Sequence, residues 1–294
     1  MFNTMEEYLD ALKKEMKDAD PALVQDALAD AREHLSLALG AAKEGQPDLS
    51  DADALKTIVE EYGSPEETAS AYREVERRTS PAMNQSVKPR SSLGRFIGVY
   101  ADPRAWGALL YMLISFVTGI FYFTWAVTGV SVSVSFLIFI FGFPLALLFL
   151  LSVRGLALLE GRLIEALLGV RMPRRPLFSH QGMKWMDRLK ALLSDRQTWL
   201  MLLYMVIQFV LGVVYFVVIV VVLSFALSFI AIPFLQEALN MGALFIDGTR
   251  YTFPVWTYPL WVLGGVLLWT IFMNIARGVG QLHGKFAKWI LVGE

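Results

Sequence analysis

Four apolar stretches constrain this chain more than any other feature. Each reaches the roughly 20 residues that an α-helix needs to cross a hydrocarbon core of about 30 Å. The first begins near Trp106, too far along for a secretory signal, and the third runs for 36 residues from Leu200 to Leu235. A hydrocarbon interior offers the backbone no hydrogen-bond partners, so these stretches have to be helices. The sequence therefore predicts an all-α integral membrane protein with four transmembrane helices, preceded by a small N-terminal helical domain.

The charges divide between these two parts. Residues 1–79 contain nine Lys/Arg and nineteen Asp/Glu, a balance of −10, and the remaining residues carry +9, which gives the net −1 of the whole chain. An acidic module thus precedes a basic membrane body. There is no cysteine, which excludes disulfides, thiolate metal sites and a cysteine nucleophile.

Four helices are legible in residues 1–79. Thr4-Met5-Glu6-Glu7 has the form of a capping box, and Met5, Leu9, Leu12 and Met16 follow at helical spacing, which predicts a helix to Asp18. Asp20-Pro21 opens the second helix, with Leu23, Val24, Ala27, Leu28, Ala31 and Leu35 on one apolar stripe ended by Gly45 and Pro47. Ser50 caps a third with Leu55, Ile58, Val59 and Tyr62 inward, Gly63 stops it, and Ser64-Pro65-Glu66-Glu67 opens a fourth whose Tyr72 and Val75 should face the core. A core this small calls for support from a partner, from self-association or from docking on the membrane domain.

The stretch from Glu60 to Tyr72, and above all the Gly-Ser-Pro-Glu-Glu turn at 63–67, resembles the HAAS-type (DUF1700) signalling module of bacterial membrane proteins. The resemblance covers about residues 4–78. It implies a cytoplasmic protein-interaction role, often with PadR-type regulators, rather than catalysis.

After a polar linker at residues 80–94, the membrane body is a repeat. Asp102, Trp106, Tyr111, Gly119, Tyr122 and Phe123 recur as Asp195, Trp199, Tyr204, Gly212, Tyr215 and Phe216, each 93 positions on. Downstream, Arg154-Gly155, Leu159, Gly161 and Arg162 correspond to Arg277-Gly278, Leu282, Gly284 and Lys285 at an offset of 123. This gives two copies of a two-span unit, residues 95–175 and 176–293. Each has an interfacial tryptophan and an amphipathic segment (Leu156 to Val170; Val279 to Val292) that should lie at headgroup level. Two spans per copy keep both copies parallel, with a seam between them that could hold a ligand or a partner helix. Tyr111, Gly119, Tyr122, Tyr204, Gln208, Gly212 and Tyr215 are the candidate seam residues.

Residues 152–199 carry nine Lys/Arg against four acids, which by the positive-inside rule makes this segment and both termini cytoplasmic. Arg171, Arg174 and Arg175 are expected at lipid headgroups, with docking of the acidic module as a sharper alternative. A 36-residue helix would measure about 54 Å, so a bend is expected near Val222 to Ser228, followed by an outer loop at about 234–259.

The paired Asp-x-x-x-Trp and Arg-Gly segments resemble the bacterial sensor domain often found ahead of histidine kinases, over residues 95–293. The sequence departs from that arrangement in having no kinase after Glu294, so output is expected through the N-terminal module or a separate protein. No catalytic residue, cofactor or metal site is expected. His34, His180 and His283 lack neighbouring ligands, and His180 and His283 are expected to face headgroups. The function implied is that of a non-catalytic sensor or signalling adaptor in the bacterial cytoplasmic membrane, with membrane lipids and a cytoplasmic protein as partners and no direct nucleic-acid contact. It could self-associate, and the alternative is a transport component or accessory subunit of a membrane complex that holds a lipidic substrate or partner helices.

Overall fold

A computed structural model describes residues 2–46, 50–79, 91–136, 138–139, 142–174, 185–238, 244–247 and 249–292. Among the described residues the fold is all-α but for one short hairpin. Helices α1 (Met5–Glu15), α2 (Pro21–Gly45), α3 (Asp51–Tyr62) and α4 (Pro65–Thr79) form the N-terminal module; α5 (Ser92–Ile97) and a 3₁₀ turn at Gly98–Ala101 follow. The membrane body consists of α6 (Pro103–Phe136), α7 (Gly142–Leu168), α8 (Trp185–Ser194), α9 (Arg196–Ala238) and α10 (Tyr258–Leu291). Of these α6, α7, α9 and α10 are long and apolar enough to cross a membrane. By contacts the chain divides into two compact units, Met1–Asn84 with Thr124–Met205 and Gly284–Glu294, and Gln85–Phe123 with Val206–His283.

In the first unit the helix starts are built as their sequences dictate. The Thr4 hydroxyl accepts from the Glu7 N–H, Asp20 caps Ala22, and Ser50 accepts from Asp53. At the fourth start the box is reciprocal: Ser64 Oγ accepts from the Glu67 N–H, and Glu67 Oε2 accepts from the Ser64 N–H at 2.9 Å. Gly63 just before it has φ +105°, a conformation that side chains with a Cβ rarely adopt. The core gathers Tyr8, Leu9, Leu12 and Met16 from the first helix and its end, with Leu23, Ala27, Ala31, Leu35 and Leu55. Tyr8 was absent from the expected stripe but is fully buried; its hydroxyl donates to the Gly63 carbonyl at 2.9 Å and meets Thr68 Oγ1 at 3.1 Å. The expected inward pair separates, since Tyr72 is half-buried with its hydroxyl on Asp30 whereas Val75 is exposed. His34 is exposed and stacks on Tyr62.

Three expectations about the body change. No break interrupts the helix at Val222 to Ser228: α9 continues for 43 residues, with Pro233 five residues from its end. In an apolar medium a broken turn strands backbone groups without water, so continuation is favoured over a break. The amphipathic segments from Leu156 and from Val279 continue α7 and α10 without a break, because no proline or capping residue interrupts them. The loop after α9 contains a two-stranded hairpin, Leu244–Ile246 against Thr249–Tyr251, with Phe245 opposite Arg250. Gln236 tethers its far side, accepting from the Phe253 N–H and donating to the Phe253 carbonyl.

Candidate functional site

The second unit holds the crossing of α6 and α9. A Cβ on Gly119 would stand 2.8 Å from the Gln208 carbonyl oxygen, and one on Gly212 would stand 2.3 Å from the Ser115 carbonyl oxygen. Neither helix could approach so closely with a side chain at these two positions. Phe116 stacks on Phe216 and Phe123 on Phe209. The offset of 93 converts one of these pairs into the other, so the crossing looks the same when the two copies are exchanged.

One turn along α6 lies a buried polar cluster. The Tyr111 hydroxyl is 2.6 Å from His283 Nε2, the Tyr215 hydroxyl is 3.0 Å from His283 Nδ1, and Gln208 Nε2 donates to the Tyr111 oxygen at 3.2 Å. Tyr111, Gln208 and His283 are all at most 3% exposed. His283, expected among lipid headgroups, is thus enclosed by α6 and α9. Five of the seven seam candidates, Tyr111, Gly119, Gln208, Gly212 and Tyr215, meet in this unit. Tyr122 is buried there too, beside Phe121.

Tyr204, the seventh, lies in the first unit, where its hydroxyl donates to Glu160 Oε1 at 3.2 Å. Glu160 is 1% exposed. Tyr204 is the counterpart of Tyr111, and the offset of 123 makes Glu160 the counterpart of His283. In each copy a tyrosine on the first span therefore meets a titratable side chain on the second span of the other copy. The ion pairs repeat the same exchange: Arg277 pairs with Asp102 at 3.0 Å and Arg154 with Asp195 at 2.5 Å. So do the tryptophans, since Trp106 Nε1 donates to the carbonyl of Tyr100 and Trp199 Nε1 to that of Leu193, each six residues back. The sequence signal for Glu160 and His283 lies in the repeat offsets alone.

Also in the first unit, the N-terminal module meets the segment that follows α7. Arg171, expected at lipid headgroups, is buried instead, its guanidinium bonding Asp26 of α2 at 2.9 Å and pairing with Glu76 of α4 and Glu165 of α7 at 3.3 Å each. Taking this charge out of water costs several kcal/mol, which three carboxylates at this range offset. The Arg174 backbone N–H donates to Asp26 at 2.6 Å and its side chain to Glu165 at 2.9 Å, which raises the Arg174 guanidinium above its ordinary pKa, chiefly through the Glu165 bond. Arg175 lies outside the described residues. Asp20, the cap of α2, takes both of its oxygens to Lys288 Nζ near the end of α10, and a cleft of about 180 Å³ opens among Leu23, Tyr72, Glu76, Arg171 and Arg174. No group of three or more His, Asp or Glu among the described residues is arranged to hold a metal.

Fold and site together define a multi-pass helical membrane protein with a helical interaction module at its N-terminus. Residues 111–291 match the family described as Putative sensor, and the chain belongs to that family. Residues 7–71 match the HAAS family, a protein-interaction module. No curated protein and no solved structure matches.

Proposed function

We propose that this protein is a non-catalytic sensor of the bacterial cytoplasmic membrane, with both termini in the cytoplasm, that relays the state of its membrane helices to a soluble protein through the N-terminal module. The sensor and HAAS families support a signalling role in general terms. The buried bonds from Arg171 to Asp26, Glu76 and Glu165 carry the rest. They tie two module helices to the residues directly after a membrane helix, so that displacement of α7 changes what the module presents. The partner is a cytoplasmic regulator, of which the PadR type is one class that the module's family implies. The domain limits at residues 79, 94 and 175 and the parallel arrangement of the two copies belong to the same proposal.

The test is purification of the full chain from its native membrane in mild detergent, alongside a chain lacking residues 2–79. The soluble partner is expected with the full chain and absent from the shortened one. A partner retained by the shortened chain, or co-purification of a membrane ATPase with substrate flux in liposomes, would overturn the proposal in favour of a transport component.

A further inference from the structure

The first span of each copy is longer than a bilayer needs. In α9 the apolar run from Leu200 to Leu235 has 36 residues in one unbroken helix, about 54 Å against about 30 Å of hydrocarbon. In α6 the uncharged run from Ala105 to Phe136 has 32 residues, about 48 Å. The second spans meet charge sooner, α7 at Arg154 and α10 at Arg277. Nor is the excess of α9 hidden inside the protein, since exposed apolar side chains recur along it at Leu203, Val210, Val217, Phe225 and Phe234. Tilt alone would have to reach about 55°, whereas transmembrane helices seldom exceed about 40°. α9 is thus mismatched in a bilayer of ordinary thickness, and each added ångström of hydrocarbon covers apolar surface that water would otherwise meet.

The two overlong helices are the pair that cross. Gly119 stands at the middle of α6, and each stacked pair joins a residue before the crossing on one helix to one after it on the other, Phe116 with Phe216 and Phe123 with Phe209. The helices therefore form an X, in which the arm of α6 before Gly119 leans toward the arm of α9 after Gly212. Tyr111 and Tyr215 lie on these two arms, and both bond His283, which resists widening of the gap between them. The start of α9 leads to the N-terminal module: Gln197 Nε2 donates to the Ile290 carbonyl at 2.8 Å, and Lys288, two residues before Ile290, holds Asp20 at the cap of α2.

From length and crossing together we infer that this protein senses the hydrophobic thickness of the bilayer, with the α6–α9 crossing as its gauge. A thicker bilayer draws both helices toward the membrane normal and widens the angle between the two leaning arms. What is read is the acyl region of the lipid, by chain length and not by headgroup. This rests on the sensor function and the parallel copies proposed above, and it names the stimulus.

The chain has no cysteine, so spin labels can be placed on the full protein without background. Leu110 of α6 and Phe225 of α9 are exposed positions on the two leaning arms. In phosphatidylcholine vesicles the distance between labels is expected to lengthen by roughly 3 Å between monounsaturated chains of about 14 and about 22 carbons. Leu227→Lys with Phe234→Lys, both at exposed positions, ends the apolar run at Ala226 and leaves 27 residues, about 40 Å, so that α9 stands more upright. In the shorter lipid this variant should show a longer distance than the wild type. A wild-type distance that stays constant or shortens with chain length overturns the inference, and so does a variant that matches the wild type in the shorter lipid. The lipid series needs no substitution beyond the labels and is decisive where the lysine variant fails to insert. Phosphatidylglycerol with the same chains should give the same distances; a shift with headgroup and none with chain length overturns the inference as well. Co-purification of the soluble partner is read separately, so failure of the gauge leaves the relay standing and the reverse also holds.

Discussion

Four glycines separate two roles that look alike in sequence. Gly119 and Gly212 let α6 and α9 touch backbone to backbone, whereas Gly155 and Gly278 have nothing within 4 Å of a built Cβ. Gly119→Ala should therefore destabilise the protein by about 1–3 kcal/mol through overpacking. Gly155→Ala should be neutral or gain about 0.5–1 kcal/mol by stiffening the helix. Thermal unfolding of both variants in the same detergent checks the contrast. The Gly63–Glu67 turn makes a prediction of a different kind. The Glu67 carboxyl is held below its ordinary pKa, first by the Ser64 backbone N–H and then by the Ser64 hydroxyl. Its contribution is fully present above the ordinary carboxylate range and is lost as pH falls through the depressed folded value. Hydrogen exchange at the amides of 64–68 should accelerate over that interval, and Glu67→Gln should flatten the dependence. This turn was legible in full from sequence because a cap is a local device, its donor and acceptor three residues apart. His283 was not, because its partners lie 172 and 68 residues away and nothing beside it in the chain announces burial.

At the scale of elements, the starts of α1 to α4 could be read from Thr4, Asp20, Ser50 and Ser64. The ends and bends of the membrane helices could not. The length of the apolar run predicts a bend in α9 from bilayer thickness, while the cost of unpaired backbone in lipid favours an unbroken helix, which α9 is. The hairpin after α9 did have a signal, the Asp-Gly pair at 247–248 after the apolar run Leu244 to Ile246, with Asp247 at φ +49°. The repeat was the most informative element-level feature, because its offsets predict which contacts come in pairs. Paired contacts need not be equal in worth. The Arg154 side chain is 9% exposed beside Asp195, whereas Arg277 and Asp102 are each 26% exposed. Asp195→Ala leaves a buried guanidinium without its carboxylate and should cost about 3–5 kcal/mol. Asp102→Ala exposes its arginine partner to more solvent and should cost nearer about 1 kcal/mol. Both variants lose the same helix cap, at Arg104 and at Gln197, and Asp195→Ala also loses the Thr198 hydroxyl bond, so the difference between their unfolding free energies reads the ion pair together with that bond. Equal losses would mean that the two copies are energetically alike despite their unequal burial.

For the whole molecule, the division of charge between −10 and +9 was visible in the sequence and correctly suggested that module and body attract. It gave no hint of which carboxylates take part, because most of the nineteen in the module are solvated. Asp26, buried on α2, receives both the Arg171 guanidinium and the Arg174 backbone N–H, and its burial makes it the hinge of the contact. Salt separates this network from the surface pairs. Arg32 and Glu6 lie in solvent at 40% and 63% exposure and should be screened at high ionic strength, whereas Asp26 and Arg171 at 9% each should hold. Asp26→Arg places two cations together and should free the module, which protease cleavage within α2 to α4 of the intact membrane protein would report. Arg171→Asp places Asp26 among like charges and should free it as well. The double exchange Asp26→Arg with Arg171→Asp restores one opposite pair but sets the new aspartate beside Glu165 and Glu76, so rescue should be partial. Full protection in either single variant would show that apolar packing, not the arginine network, holds the module in place.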